Sequence, residues 1–254
     1  MLRALMLSCV ALAPVLAFAG DDEALTLAKK AEAHYRGFGG QRADVRMVLK
    51  DAAGGEKVYE LVELDLETSK GARLLLRFKS PKTHEGTALL VREVPGGEDE
   101  VWLYLAATQK LSRLAGNDRM DSFLGSEMDI EQLTFPKTKD YVHKLAGAGT
   151  IEGRACHNIE ALPKSKAAPY GKVVSCVDKE NFSLLELRYF DRAGVPVKVL
   201  TAGDHKAYGD KWRPHKLVAT NLQTGRSTVI EVSNYKLGLK LSEKLFTSGQ
   251  LRKH

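Results

Sequence analysis

The sequence predicts a mainly β (α+β) domain: one large, curved antiparallel sheet of about eleven strands, covered by an N-terminal helix and a short helical lid. Three observations predict it. From residue 44 onward, apolar residues recur at every second position in runs separated by short turns. Only residues 23–36 sustain a helical period over several turns. The two-residue period then breaks at 119–133, where apolar residues fall at short helical spacings.

The elements follow in order. Residues 1–19 carry a single charge, Arg3, then an apolar run, and end in Ala17-Phe18-Ala19 before the acidic Asp21-Asp22-Glu23. That is the layout of a cleaved export signal. Its apolar run is shorter than the ~20 residues a membrane-spanning helix needs. Leu7-Ser8-Cys9 resembles a lipobox, but processing there leaves no room for a charged region plus an apolar core. The chain therefore divides into a leader, 1–19, and one domain, 20–254.

In 23–36, Leu25, Ala28, Ala31 (or Leu27) and Tyr35 share a face opposite Lys29, Lys30, Glu32 and Arg36. Asp21 and Asp22 suit the start of a helix, and Gly37, Gly39 and Gly40 its end. Such a helix has no stability alone and must cover something. Strands are expected at 44–49, 58–66, 72–78, 87–94 and 101–105, with turns at Gly54-Gly55, Ser80-Pro81 and Pro95-Gly96-Gly97. The 58–66 run alternates, apart from an extra Val62, as a half-buried strand does. A basic strand at 110–113 follows. In 119–133, Met120, Phe123, Leu124, Met128, Ile130 and Leu133 fit one or two short helices around Gly125. Strands resume at 141–145, 151–162, 172–178, 184–191, 195–204, 213–221 and 227–237. Residues 241–246 suit a last helical turn, and the basic end 251–254 is expected to fray.

Composition excludes several functions. Lys plus Arg number 38 against 32 Asp plus Glu, a net charge of +6 that falls by one with Arg3. The two signs are interleaved throughout, whereas a nucleic-acid protein concentrates its cations. Cys156 and Cys176 are the cysteines beyond the leader, an even count that points to one disulfide in an exported protein. Closing that loop contributes ~3 kcal/mol. Cys156-His157 keeps a metal reading open, although these residues lack the second paired cluster of a zinc site. His34, His84, His143, His157, His205, His215 and His254 are scattered, so no metal site and no cofactor is expected. Ser122 and Ser126 flank Gly125 without a nucleophile elbow, and no enzyme activity is expected. Asp118, Asp121, Glu127 and Asp129 read as a solvated acidic face beside the lid.

Several short motifs, in this order, resemble the LolA-like outer-membrane lipoprotein-sorting proteins. They are Trp102-Leu103-Tyr104, the run from Ser122 to Asp129, Leu162-Pro163-Lys164 and Tyr170-Gly171-Lys172. Val177-Asp178-Lys179-Glu180-Asn181-Phe182, Tyr189-Phe190-Asp191 with Gly194, and Lys198-Val199-Leu200 complete them. The resemblance covers most of the chain after the leader. It implies a half-open β-barrel closed by helices, located in the periplasm. It further implies an acyl-chain ligand, lipoprotein or lipid, and an inner-membrane exporter of the RND/MMPL type as partner. Where LolA has a basic-proline stretch whose arginine pins the lid, this chain has Phe78-Lys79-Ser80-Pro81, with Lys79 in that place.

A carrier needs a dry groove, because hiding an acyl chain from water gains ~0.8 kcal/mol per methylene. Candidates to line it are Met47, Leu49, Leu61, Leu74, Leu76 and Leu89. Val91, Trp102, Tyr104, Phe123 and Met128 complete the set; each is equally readable as ordinary core. Arg113 either meets a head group at the groove's mouth or pairs with the lid's acids. The reading is a monomeric periplasmic carrier that does not bind nucleic acid. The alternative is a lipid-sensing regulator of the same fold.

Overall fold

The computed structural model describes residues 19–135, 137–166 and 168–253, so residues 1–18 of the expected leader lie outside the described residues. Among them, one α-helix, α1 (Ala19–His34), precedes thirteen strands. The first meander holds β1 (Gly40–Lys50), β2 (Glu56–Thr68), β3 (Gly71–Ser80), β4 (Ala88–Arg92), β5 (Glu100–Leu105) and β6 (Lys110–Leu114). The second holds β7 (Tyr141–Ile151), β8 (Arg154–Pro163), β9 (Lys172–Asp178), β10 (Leu184–Phe190), β11 (Pro196–Tyr208), β12 (Lys211–Asn221) and β13 (Ser227–Leu237). Thirteen strands form instead of about eleven, one for each run that the two-residue period marks, the five-residue β4 and β6 included.

Every neighbouring pair is antiparallel, and β1 joins β13 to fuse the two meanders into one sheet. Its order, β6 through β1 and then β13 through β7, leaves β6 and β7 at opposite edges although they are consecutive in the chain. The two ends curl toward each other. Helix α1 lies on β7, yet Arg36 just beyond it forms a two-pronged ion pair with Glu93 beyond β4, at 2.9 and 3.0 Å. The expected half-open barrel is thus present, and residues 115–140 must cross its inside to connect one edge to the other.

Register defines that inner face. Met47 lies opposite Ile230, Ile230 opposite Leu217, and Leu200 opposite Leu187. Leu187 then faces Ser175, and Ser175 faces Ile159. One end of the face is covered by α1, whose Ala24 and Leu27 pack on Ile159 and Val177. The rest is covered by 115–140. That connection is not the expected one or two short α-helices. It consists of 3-10 turns, Gly116–Met120, Phe123–Gly125, Ile130–Leu133 and Thr138–Asp140. The apolar spacing is helical, but Asp121-Ser122 and Gly125-Ser126 interrupt it, and these residue types favour turns over helix interiors. Leu124 is left-handed at φ 51°, followed by Gly125 at 81°. Phe123 N–H donates to the Met128 carbonyl and Ile130 N–H to that of Asp121, so 121–130 is a tight hairpin-like loop.

The outer face has a cover of its own. Leu66, Leu75, Leu90 and Tyr104 pack with Phe246 and Leu251 from the 3-10 turns that end the chain. The expected fraying at 251–254 is therefore corrected for Leu251, which is 0% exposed. Arg77 holds this tail by donating to the Gln250 and Leu251 carbonyls at 3.1 and 3.2 Å. On the outer face of the second meander Cys156 and Cys176 form the disulfide, with Cα atoms 5.4 Å apart, linking β8 to β9. That geometry answers the metal reading of Cys156-His157.

Candidate functional site

The candidate site is the inner face together with the segment lying on it. From β1 come Val45, Met47 and Leu49, from β2 Tyr59 and Leu61, and from β3 Leu76 and Phe78. Leu89 and Val91 of β4 and Val101 of β5 continue the surface, with Leu74 partly buried against it. The hollow expected here is filled by the protein's own side chains: Phe123 and Ile130 pack into this cluster, flanked by Leu124, Leu133 and Phe135. Met128 reaches further along, onto Tyr189, Leu200 and Ala219. A single apolar surface therefore runs across both meanders under one cover.

Three of the expected wall residues lie elsewhere. Trp102 and Tyr104 alternate with Val101 and Leu103, so they point to the outer face and join the cluster under the tail. Arg113 sits opposite Trp102 in register, lies over its ring at 5.8 Å and pairs with Glu100 at 3.4 Å. It meets neither the groove's mouth nor the acids of the cover. The physical reason is that both faces of β3–β5 are buried, so an aromatic there does not identify the inner side. Leu89-Leu90-Val91, apolar at three successive positions and fully buried, carries that signal.

Polar ties fasten the cover. Its acids divide: Asp118 and Asp121 are exposed, as a solvated face requires, whereas Glu127 is buried and Asp129 points into the seam with β11. Lys198 of β11 pairs with Asp129 at 3.0 Å, and the Tyr170 hydroxyl donates to the same carboxylate. Burial, then this hydrogen bond, pushes the Tyr170 hydroxyl pKa well above its ordinary value, so it remains a donor. Glu127 meets Arg226 at 3.1 Å and Asn221 at 3.1 Å, while its N–H donates to the fully buried Thr228 hydroxyl at 2.8 Å. Arg226 also donates to the Gly125 carbonyl at 2.8 Å. A cleft of about 320 Å³ opens over these groups. Lys79, by contrast, is exposed. Sequence reasoning missed Lys198 and Tyr170, because one lysine on an alternating strand reads as solvated.

At the other end of the cover, Lys137 pairs with the buried Asp99 at 2.6 Å, and Thr138 donates through its N–H and hydroxyl to Glu32 of α1. Arg36 lies 5.2 Å over the Phe135 ring. A second cleft, about 490 Å³, opens among Lys29, Arg36, Glu93, Lys137 and Lys139.

Beneath the α1–β1 connection the inner face turns polar. Glu63 and Asp65 of β2, expected on the watery side of a half-buried strand, share its inner side with Leu61. Gln41 donates to both carboxylates, at 3.0 and 2.9 Å. Burial raises both pKa values, and for Asp65 the neighbouring Glu63 charge raises it further. Arg213, 3% exposed, lies over the Tyr35 and Phe38 rings at 5.3 and 5.5 Å. The pair thus favours holding a proton in the folded state. Its stabilising effect is complete below the unfolded carboxylate range of about pH 4 and is lost as pH rises through the raised values. Asp65→Asn, which mimics the protonated partner, is expected to flatten this alkaline loss. Melting curves from pH 4 to 9 check it, and an unchanged slope refutes the burial argument.

A family model described as an uncharacterized protein matches residues 70–253. The fold is similar to a Vibrio parahaemolyticus domain described as an outer membrane lipoprotein-sorting protein. That match has a TM-score of 0.87 and 30% identity, over 92% of this chain and 100% of that one. A DUF1329 family protein from Desulfovibrio piger matches at TM-score 0.86 and 22% identity, over 91% and 99% of the two chains. A LolA superfamily protein from Nitrosomonas europaea matches at 0.68 and 19%, over 88% and 97%. No protein of curated function matches the sequence.

Proposed function

Because the chain belongs to the LolA-like outer-membrane lipoprotein-sorting family, we propose that it carries an acyl-chain ligand, a lipid or a lipoprotein, across the periplasm. The inner apolar surface is the binding surface, with Met47, Leu49, Leu61, Leu74, Leu76, Leu89 and Val91 as wall and Phe123 and Met128 as cover. The partner is an inner-membrane exporter of the RND/MMPL type, the carrier is a monomer, and the leader is removed after Ala19.

One observation carries this reading: a continuous apolar surface lies under a segment built of turns, fastened by side-chain ties instead of a strand ladder. Such a cover is exchangeable. Phe123, Met128 and Ile130 together hide apolar surface worth about 5–9 kcal/mol. A sixteen-carbon chain gains about 12 kcal/mol on the same surface. The ligand can therefore displace the cover, with the surplus spent on breaking its polar ties.

The test is lipid analysis of protein purified from its native periplasm, followed by titration of the delipidated protein with a fluorescent fatty acid. Stoichiometric co-purifying lipid and saturable probe binding that Leu61→Asp abolishes are expected. A lipid-free protein that ignores the probe ends the proposal.

A further inference from the structure

The 490 Å³ cleft at the front of the cover has the size of a small-molecule site and a charge imbalance. Four cations line it: Lys29 and Arg36 around α1, and Lys137 and Lys139 beside the cover. Glu93 is occupied by Arg36, and its carboxyl is held below the usual range by that guanidinium and the Ala72 N–H, despite an opposing cost of burial. Lys137 is paired with Asp99, while Glu32 accepts from the neutral Thr138 and keeps its negative charge. Among the described residues, neither Lys29 nor Lys139 has a carboxylate at ion-pair distance. Lys29 and Lys139 against the one Glu32 carboxylate leave the lining a net positive charge of one for an anion.

The cleft also adjoins the apolar surface. Arg36, in its wall, stacks on Phe135, and Phe135 packs against the inner cluster. A molecule seated here has its charged end among the lysines and its next atoms at an aromatic gate to the inner face. We propose that this cleft binds the phosphate of an anionic lipid head group, with Lys29 and Lys139 as its cations and the acyl chains passing Phe135. This rests on the carrier reading and names its ligand class: an anionic phospholipid in preference to a zwitterionic one.

The experiment incubates delipidated protein with vesicles of equal phosphatidylglycerol and phosphatidylcholine, then quantifies the lipid bound to re-isolated protein. Wild type is expected to extract phosphatidylglycerol with about fivefold preference, given roughly 1 kcal/mol for one net positive charge near an anionic group. The Lys29→Gln, Lys139→Gln double variant, altered only at exposed positions, is expected to extract less phosphatidylglycerol than wild type and to lose the preference over phosphatidylcholine, with phosphatidylcholine extraction unchanged. Equal extraction of both lipids by wild type overturns the head-group assignment and leaves the carrier reading standing. Extraction of neither lipid overturns both. Lysine-dependent binding of inorganic phosphate alone, as tight as that of the lipid, marks a free-anion site and overturns the lipid assignment.

Discussion

Lys198→Met is expected to release the cover while leaving the sheet folded. The substitution keeps the length of a buried side chain but strips Asp129 of its cation, leaving the carboxylate to the Tyr170 hydroxyl. Removing one partner of a buried pair costs about 3–5 kcal/mol, because the remaining charge stays desolvated. Here the carboxylate has an escape, since lifting the loop 121–130 returns it to water. The cost should therefore appear as opening of the cover. Amide hydrogen exchange is expected to rise at 121–133 and stay unchanged in β1–β3, and a fatty-acid probe should bind more tightly because its competitor is weakened. A uniform loss of protection across the sheet, with unchanged probe affinity, would show that the pair is merely part of the core.

Phe246→Ala is expected to destabilise the whole domain by about 3–5 kcal/mol. Phe246 is 2% exposed and caps the outer cluster of Leu66, Leu75, Leu90 and Tyr104. Without it the tail has Leu251 and the two Arg77 hydrogen bonds to hold it, and Trp102 becomes the edge of an uncovered patch. Urea unfolding measures the loss, and a change below about 1 kcal/mol is incompatible with this packing. The same variant separates the two faces: acyl binding on the inner side should survive wherever the protein remains folded.

The strands and the helix were legible because burial on one face imposes a period, and the disulfide because two cysteines behind an expected export signal have few other uses. Trp102 and Tyr104 were misplaced because the period gives alternation without direction. Only the tail, distant in sequence, makes the outer side of β5 apolar too. The 119–133 segment misled in another way, since turns pack apolar residues at three- and four-residue spacings just as helices do. Lys198, Arg213, Glu63 and Asp65 were invisible for a shared reason: a charged residue on a strand reads as surface until a partner from another element buries it. Their partners lie dozens of residues away, at Asp129 and Gln41 among others.

Since β6 and β7 are the two rims of the sheet, the chain between them is a strap buckled at both sides. It has no free tip to swing, so it can only bow outward, and the distance between the rims governs its slack. Anything that draws the rims together loosens it, and anything that spreads them pulls it taut against the floor. For the proposed carrier, loading and the width of the barrel become mechanically one variable.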